Sequence, residues 1–254
     1  MSNRPLIALQ MYTLRDLAGT DMAGCLREVA GMGYEGIELA GYGDLTAVQV
    51  KELTAELGLK VISNHTGLEA LRGDLKEVLA AKEMFGYDYV VCSYMPEHER
   101  PDGAAYKLRV GELEAAGRKL QASGLTLCYH NHDFEFMQFD GVYGLDILYG
   151  NSDPSYLQAE IDTYWVRRGG ADPAEYIRKY MGRAPLIHIK DMSGDGNEAF
   201  AEVGAGILDW PAIFTAAEAG GAVAYIVEQD TCPGNPLDSV RLSIENLKKM
   251  GKLG

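Results

Sequence analysis

The sequence has no apolar stretch long enough to cross a membrane. Its longest apolar runs, such as residues 86–92 (GYDYVVC), have the length of a β-strand, whereas a membrane-spanning helix needs about 20 apolar residues. The first residues, MSNRPLIALQMYTL, carry no basic start, no long apolar stretch and no small-residue cleavage site, so we expect no export signal. These absences predict a cytoplasmic protein without a membrane partner.

Cysteine and basic residues are also scarce. Cys25, Cys92, Cys128 and Cys232 lie far apart and form no CxxC pair, which argues against a disulfide framework or a zinc ribbon and fits a reducing cytoplasm. The sequence has only 23 Lys and Arg but 37 Asp and Glu, and the formal net charge is −14. Because binding to a phosphate backbone needs a dense basic face, we expect no nucleic-acid partner.

What the sequence does have is a regular alternation of short, β-rich apolar runs and longer helical patterns. It shows no linker, low-complexity tract or composition shift, so we predict one domain over residues 1–254. The alternation is typical of repeated βα units around a parallel sheet. The predicted fold is therefore α/β, a single (β/α)8 TIM barrel. The eight predicted strands are residues 6–12, 34–39, 59–65, 87–93, 125–132, 157–164, 185–191 and 223–229.

Helical patterns and loops fill the segments between these strands. Residues 104–124 form the longest helical pattern, and the last helix, residues 238–251, is expected to begin with Asp238 as its N-cap. The glycines of residues 203–210 do not fit a dinucleotide-binding loop, which needs a strand before it and a helix directly after it. We interpret this segment as a loop beside the site, with Asp209 capping the next helix.

Four of the five histidines fall at the carboxyl ends of predicted strands. His65 lies at the end of strand three, His130 and His132 at the end of strand five, and His188 in strand seven, whereas His98 lies in a polar loop. The carboxyl ends of the strands form the active-site face of a TIM barrel. A single histidine is usually structural, but four on one barrel face predict a functional site.

Two carboxylates accompany these histidines. Asp162 ends strand six and Glu228 ends strand eight, and a buried carboxylate is costly without a partner. Lys190 is one candidate cation and would give a plain buried ion pair. We favour a divalent metal held by Asp162, His188, Glu228 and one group from strand five. Mixed oxygen and imidazole ligands suit Mn²⁺, Co²⁺, Zn²⁺ or Fe²⁺ better than Ca²⁺.

Six segments carry a resemblance to a known family. They are residues 10–16 (QMYTLRD), 35–39 (EGIEL), 160–165 (EIDTYW), 187–191 (IHIKD), 203–210 (VGAGILDW) and 226–230 (IVEQD). In order and spacing the chain resembles the sugar phosphate isomerase/epimerase superfamily of xylose-isomerase-like TIM barrels. This resemblance implies a metal-dependent isomerase or epimerase that acts through an enediolate on a small keto- or aldo-sugar, phosphorylated or not. It also implies one metal held by strands five to eight, with Asp162, His188 and Glu228 matching three ligands.

Strand five departs from the epimerase pattern. Epimerases carry a glutamate ligand at its end, where this chain has His130, followed by His132 and Glu135. The segment YHNH, residues 129–132, instead resembles the YHxH segment of inosose dehydratases. Either His130 or Glu135 is then the fourth ligand. Dehydration or lyase chemistry on a keto-sugar or inosose is the alternative reaction, and a non-catalytic sugar-binding barrel is a third interpretation.

The other candidate residues are assigned by position. Glu228 and His132 are predicted to act as acid and base, and Lys190 to neutralise the enediolate. The predicted substrate contacts are Gln10, Glu38, His65, Trp165 and Glu135. Trp165 stands where the related endonuclease IV has a zinc-binding histidine, which favours a single metal and disfavours DNA repair. The expected partner is a small carbohydrate, and a homo-oligomer is left open.

Overall fold

The computed structural model describes residues 4–253, so the ends of the predicted domain, residues 1–3 and 254, lie outside the described residues. Eight parallel strands form a closed barrel, in which the first strand pairs with the last. The predicted fold is confirmed. The barrel strands are β1 (Leu6–Gln10), β2 (Gly36–Leu39), β3 (Lys60–Thr66), β4 (Tyr89–Cys92), β5 (Thr126–His130), β6 (Gln158–Asp162), β7 (Leu186–Ile189) and β8 (Ala224–Val227).

Helices surround the barrel. Those described within residues 4–253 are α1 (Arg15–Met32), α2 (Ala47–Leu57), α3 (Leu68–Arg72), α4 (Lys76–Phe85), α5 (Gly103–Gln121), α6 (Gly144–Gly150), α7 (Thr163–Arg168), α8 (Pro173–Lys179), α9 (Trp210–Ala219) and α10 (Pro236–Lys249). Short 3-10 helices lie at Met11–Leu14, Glu97–Glu99 and Phe134–Phe136. Antiparallel ribbons pair Gln138–Phe139 with Val142–Tyr143 and Asp191–Met192 with Phe200–Ala201. None of the described helices combines the length and apolarity needed to cross a membrane.

Several strands end earlier than predicted, and the strand ends decide where the site residues lie. Strand β6 stops at Asp162 because its side chain accepts a hydrogen bond of 2.9 Å from the backbone N–H of Trp165 and so caps α7. Strand β5 ends at His130, which places His132 in the following loop. Lys190 lies just beyond β7 in the same way.

Two helix predictions have different outcomes. The pattern at residues 104–124 forms one unbroken helix, α5, whose Gly117 packs so closely against the backbone of Tyr156 that any Cβ would collide. The predicted N-cap of the last helix is wrong. Asn235, not Asp238, caps α10 through its side chain, because Pro236 already has the backbone angle of a first helical residue.

The interior of the barrel has an apolar layer beneath a polar one. The small apolar cluster contains Ala8, Ile62, Val91, Cys128, Leu186, Ala224 and Ile226. Side chains two residues apart on a strand point to the same face. His130 therefore follows Cys128, and His188 follows Leu186, towards the carboxyl ends of the strands. The larger apolar core, which holds most of the buried side chains, packs the outer strand faces against the helices.

Candidate active site

A cavity of about 430 Å³ opens at the carboxyl ends of the strands. This volume falls in the usual range for small-molecule sites. Its walls include Tyr94, His65, His130, His132, Glu228 and Asp230. The sequence predicted four of these six, but not Tyr94 or Asp230.

The four side chains from β5 to β8 that were predicted as metal ligands come together at this cavity. His130, Asp162, His188 and Glu228 are all buried, and each offers a ligand atom within 4.8 Å of the others. The Nε2 atom of His130 lies 3.3 Å from Asp162 Oδ2, and His188 Nδ1 lies 3.1 Å from Glu228 Oε2. Two imidazoles and two carboxylates make a donor set that suits a divalent transition metal.

His130 and His188 each have one ring nitrogen that faces away from the cluster, and the hydrogen-bond acceptors beside these nitrogens fit a metal site. His130 Nδ1 lies 3.4 Å from the carbonyl oxygen of Ser93, which can only accept a hydrogen bond. With a metal bound, the proton of His130 would lie on Nδ1, where this carbonyl can accept it, and the lone pair of Nε2 would face the ion. His188 Nε2 lies 2.7 Å from Glu38 Oε2 and 3.2 Å from Glu160 Oε2, which leaves Nδ1 for the cluster. Metal-binding histidines commonly donate their second N–H to such acceptors.

A second group of buried side chains lies beside the first and shares His188 with it. Glu38, His65, Glu160 and His188 also offer ligand atoms within 4.8 Å of one another. His65 Nε2 lies 2.9 Å from Glu160 Oε2 and 3.0 Å from Glu38 Oε2. Burial alone would lower the pKa of His65, but these two carboxylates raise it to about 10. The group therefore orients His188 through a network of charge-assisted hydrogen bonds.

The predicted substrate contacts on β1 and β2 are buried below the cavity. Gln10 Nε2 donates to Glu38 Oε2 at 2.7 Å, and the Ser63 hydroxyl donates to Glu38 Oε1 at 2.5 Å. Gln10 and Glu38 are both fully buried, whereas His65 lines the cavity. Glu38 thus reaches the ligand cluster through His188.

Lys190 is fully buried and surrounded by carboxylates. Its Nζ lies 2.6 Å from Asp230 Oδ2, 2.7 Å from Glu228 Oε2 and 3.1 Å from Asp162 Oδ2. Burial alone would lower its pKa, but these neighbours hold the pKa well above its ordinary value. The buried ion pair that the sequence offered as an alternative, between Lys190 and the carboxylates of Asp162 and Glu228, is therefore present. The carboxylates Glu38, Glu160, Asp162, Glu228 and Asp230 still outnumber the cations of the site, even when His65 and His188 are counted as protonated beside Lys190. The site therefore retains negative charge that a further cation can balance.

His132 differs from the other histidines of the site because it has no carboxylate partner. Its ring stacks on Phe134 at 5.3 Å and lies 5.2 Å from the ring of Tyr94, edge to face. Its Nδ1 is buried and has no hydrogen-bond partner. Burial, His130 and Lys190 lower its pKa well below the ordinary value. His132 is thus a neutral imidazole on the cavity wall.

Glu135 lies outside both four-residue groups. Its Oε1 accepts from the Tyr129 hydroxyl at 2.6 Å, and its Oε2 accepts from the backbone N–H of His132 at 2.8 Å. Burial raises its pKa to about 7. Tyr129 precedes the inward-facing His130 on β5 and so points to the outer face. The loop therefore turns Glu135 away from the ligand cluster.

Trp165 lies at the edge of the site. Its half-buried indole tilts against the His132 ring at 5.3 Å between ring centres, and its Nε1 is buried without a partner. Lys190 Nζ lies 5.3 Å from the centre of the same ring. The predicted contact of Trp165 with substrate stays a prediction.

A buried aspartate explains the glycine-rich segment at residues 203–210. Asp191 accepts hydrogen bonds from the backbone N–H groups of Gly204, Gly206 and Leu208, and from Trp210 Nε1 at 2.7 Å. A Cβ on Gly206 would collide with Asp191. Asp209 caps α9 as predicted, through the N–H of Ala212. The segment is thus held by a carboxylate, which repels phosphate.

The fold and site can be compared with known proteins. The sequence profile described as "Xylose isomerase-like TIM barrel" matches residues 26–250. An inosose dehydratase from Lacticaseibacillus casei is 26% identical over 145 residues, which cover 50% of this chain and 48% of that protein. The chain thus aligns with about half the length of this relative.

Two solved structures show the same fold. A sugar phosphate isomerase/epimerase from Parabacteroides distasonis superposes with a TM-score of 0.85 at 23% identity, covering 100% of this chain and 96% of that one. The IOLI protein, whose structure holds a zinc atom, superposes with a TM-score of 0.73 at 14% identity, covering 97% and 96%. The profile match spans well over half of the sequence. The chain belongs to the xylose isomerase-like TIM barrel family.

Proposed function

We propose that this protein is a divalent-metal-dependent enzyme that enolises an unphosphorylated keto-sugar or inosose and then eliminates water or another β-substituent. The observation that carries the proposal is the meeting of His130, Asp162, His188 and Glu228 in one buried cluster, of which His130 and Glu228 line the cavity. The inosose dehydratase relative supports the same reaction class. Isomerisation or epimerisation is the second candidate, supported by the name of the P. distasonis structure.

The ligand set proposed for the metal is His130 Nε2, His188 Nδ1 and the carboxylates of Asp162 and Glu228. When bound, a divalent ion supplies Lewis-acid chemistry, which makes the proton between a carbonyl and a hydroxyl easier to remove. Lys190 holds Asp162 and Glu228 in place through its contacts of 3.1 and 2.7 Å. The predicted role of Lys190 in neutralising an enediolate stays a prediction.

His132 is the group on the cavity wall that we assign as base. Glu228 Oε2 is already engaged by Lys190 and His188, whereas His132 lines the cavity and pairs with no carboxylate among the described residues. His132 takes the α-proton, and the imidazolium that forms returns it to the leaving oxygen on the same face.

The assignment of His132 alone as the base favours elimination over epimerisation. Inversion at a carbon needs two acid–base groups, one on each side of it. The carboxylate nearest in sequence that might have served, Glu135, is bound to Tyr129 and the His132 backbone instead. A single base that returns the proton to the neighbouring carbon would still permit isomerisation, which is why that reaction is the second candidate.

The charge of the cavity argues for a neutral substrate. Among the described residues that line it, the ionisable acids and bases are three histidines, Tyr12 and Tyr94, Glu228 and Asp230, without a lysine or arginine. Lys190 is engaged by three carboxylates. A phosphate group would meet net negative charge without an arginine or lysine to bind it, so we propose that the sugar is unphosphorylated.

A substrate panel in D₂O tests the proposal. Metal-loaded protein is incubated with unphosphorylated ketoses and inososes, and the products are followed by NMR. Elimination gives an unsaturated ketone and loss of water, isomerisation gives a deuterated isomer, and epimerisation gives a deuterated epimer. Water loss from at least one compound supports the dehydratase. An absence of both exchange and water loss throughout would leave a sugar-binding barrel without chemistry.

A further inference from the structure

A second cavity adjoins the first across a shared wall. It has a volume of about 450 Å³ and is lined in part by Gly67 and Leu68, which follow β3, and by Ser93, Tyr94 and Pro96, which follow β4. Ser93 and Tyr94 line both cavities. A ligand held at the metal-ligand cluster can therefore extend past Tyr94 into the second cavity.

Tyr94 is held in a fixed orientation although 43% of it is exposed. Its ring packs edge to face against His132 at 5.2 Å and against Phe134 at 5.5 Å. Its hydroxyl accepts a hydrogen bond of 3.3 Å from Arg100, whose guanidinium lies over the Phe134 ring. An ordered and exposed aromatic ring between two cavities is suited to contact with a second ring.

The second cavity offers a ligand little free charge. Glu99 on its wall is paired with Arg109 and lies 2.8 Å from Arg72. Glu69 on the same wall is also paired with Arg72. Leu68 and Pro96 add apolar surface. The wall therefore suits a neutral, largely apolar group.

We infer that the second cavity is a subsite for the substituent of a glycoside, so that the sugar bound in the first cavity can carry an apolar ring. The inference rests on the proposed function, because it places the sugar in the first cavity. The substituent then packs between Tyr94 and Gly67, the residue that joins β3 to α3.

Gly67 gives a direct way to block this subsite. Its backbone, at φ −68° and ψ 151°, is open to any residue, and an added Cβ would meet no heavy atom within 4 Å. The variant Gly67→Leu is therefore expected to fold and to fill part of the cavity. The matched control is Gly150→Leu, because Gly150 is equally open but lines a separate groove beside α6.

The test measures binding of methyl and phenyl β-D-glucopyranoside to metal-loaded protein by calorimetry, after thermal melting has shown that each variant is folded. The wild type should bind the phenyl glycoside about tenfold more tightly than the methyl glycoside, as expected for burying one ring. Gly67→Leu should reduce this ratio to about one and leave the methyl glycoside unaffected, and Gly150→Leu should keep the ratio.

Three results overturn the subsite: equal affinity for the two glycosides in the wild type, no binding of either, or a preference that survives Gly67→Leu. Failure of the proposed function would look different. A phenyl preference that Gly67→Leu removes, in a protein that exchanges no substrate proton in D₂O, would keep the subsite and refute the chemistry.

Discussion

His188 Nε2 lies 2.7 Å from Glu38 Oε2, and this contact joins β7 to β2 across the interior of the barrel. The other ring nitrogen, Nδ1, lies 3.1 Å from Glu228 Oε2. One imidazole thus connects the buried carboxylates below the cavity to the proposed metal ligands. Such an outer carboxylate fixes the orientation of a ligating histidine and strengthens it as a ligand.

The first prediction concerns metal content. Asp162 uses Oδ1 to cap α7 and directs Oδ2 towards His130 and Lys190. Asp162→Asn keeps the capping oxygen but replaces a charged ligand atom with an amide. We expect about one divalent ion per wild-type chain and at least a roughly tenfold weaker affinity in the variant, measured by elemental analysis after dialysis. Asp172→Asn, which changes the capping aspartate of α8, is the control, and full occupancy in Asp162→Asn would refute the ligand set.

His132→Ala should separate catalysis from metal binding. Because His132 lies outside the proposed ligand set, the variant should keep its metal, while turnover falls roughly 10²- to 10⁴-fold through loss of the base. Lys51→Ala provides the control, since that side chain is exposed on α2, on the outside of the barrel. Loss of metal together with turnover would instead assign His132 a role in holding the ion.

His130→Glu tests how strand β5 selects the reaction. This change recreates the ligand set of the epimerases and adds a carboxylate that can exchange protons. The variant should retain metal and show more α-proton exchange in D₂O relative to water loss than the wild type, as followed by NMR. Metal kept in His130→Ala but lost in Glu135→Ala would make Glu135 the fourth ligand and return the isomerase mechanism to first place.

Glu135 should give the protein a distinct pH dependence of stability. Its pKa is about 7 in the fold, above its ordinary 4.5. Between these values the unfolded chain loses a proton that the folded chain keeps, so stability falls as pH rises through this window. The effect amounts to roughly 3 kcal/mol at most.

Denaturant unfolding at pH 5 and pH 8 measures this effect. Glu135→Gln should reduce the difference between the two pH values by the part that Glu135 contributes, whereas Glu97→Gln, an exposed change, should leave the difference unchanged. His65, whose pKa is raised to about 10, contributes to the difference in both variants. Equal pH dependence in the wild type and in Glu135→Gln would show that burial does not hold this carboxyl neutral.

Much of the architecture was predictable because the apolar runs of the eight strands are regular. The barrel rule then placed His130, Asp162, His188 and Glu228 on one face before any contact was known. Residues far apart in the chain were harder to assign. Glu160 meets His65, 95 positions away, and only the closed strand order brings the two together.

One partner of Lys190 and the partners of Glu135 were also not predicted from the sequence. Lys190 was predicted near the site, but Asp230 was missed as its partner, although it lies two residues after Glu228 and 2.6 Å from Lys190 Nζ. Glu135 depends on Tyr129, which faces outward on β5. The alternation of β5 would have indicated this, but the path of the following loop does not follow from the sequence.

The metal dependence of enolisation is tested most directly by the rate of α-proton exchange in D₂O. The rate is measured on the compound that reacts in the substrate panel. It is measured before chelation of the metal, after chelation, and after metal is restored. Exchange should disappear with the metal, return when metal is added to the wild type, and not return in Asp162→Asn at the same metal concentration. Exchange that continues at the full rate after chelation would contradict this metal dependence.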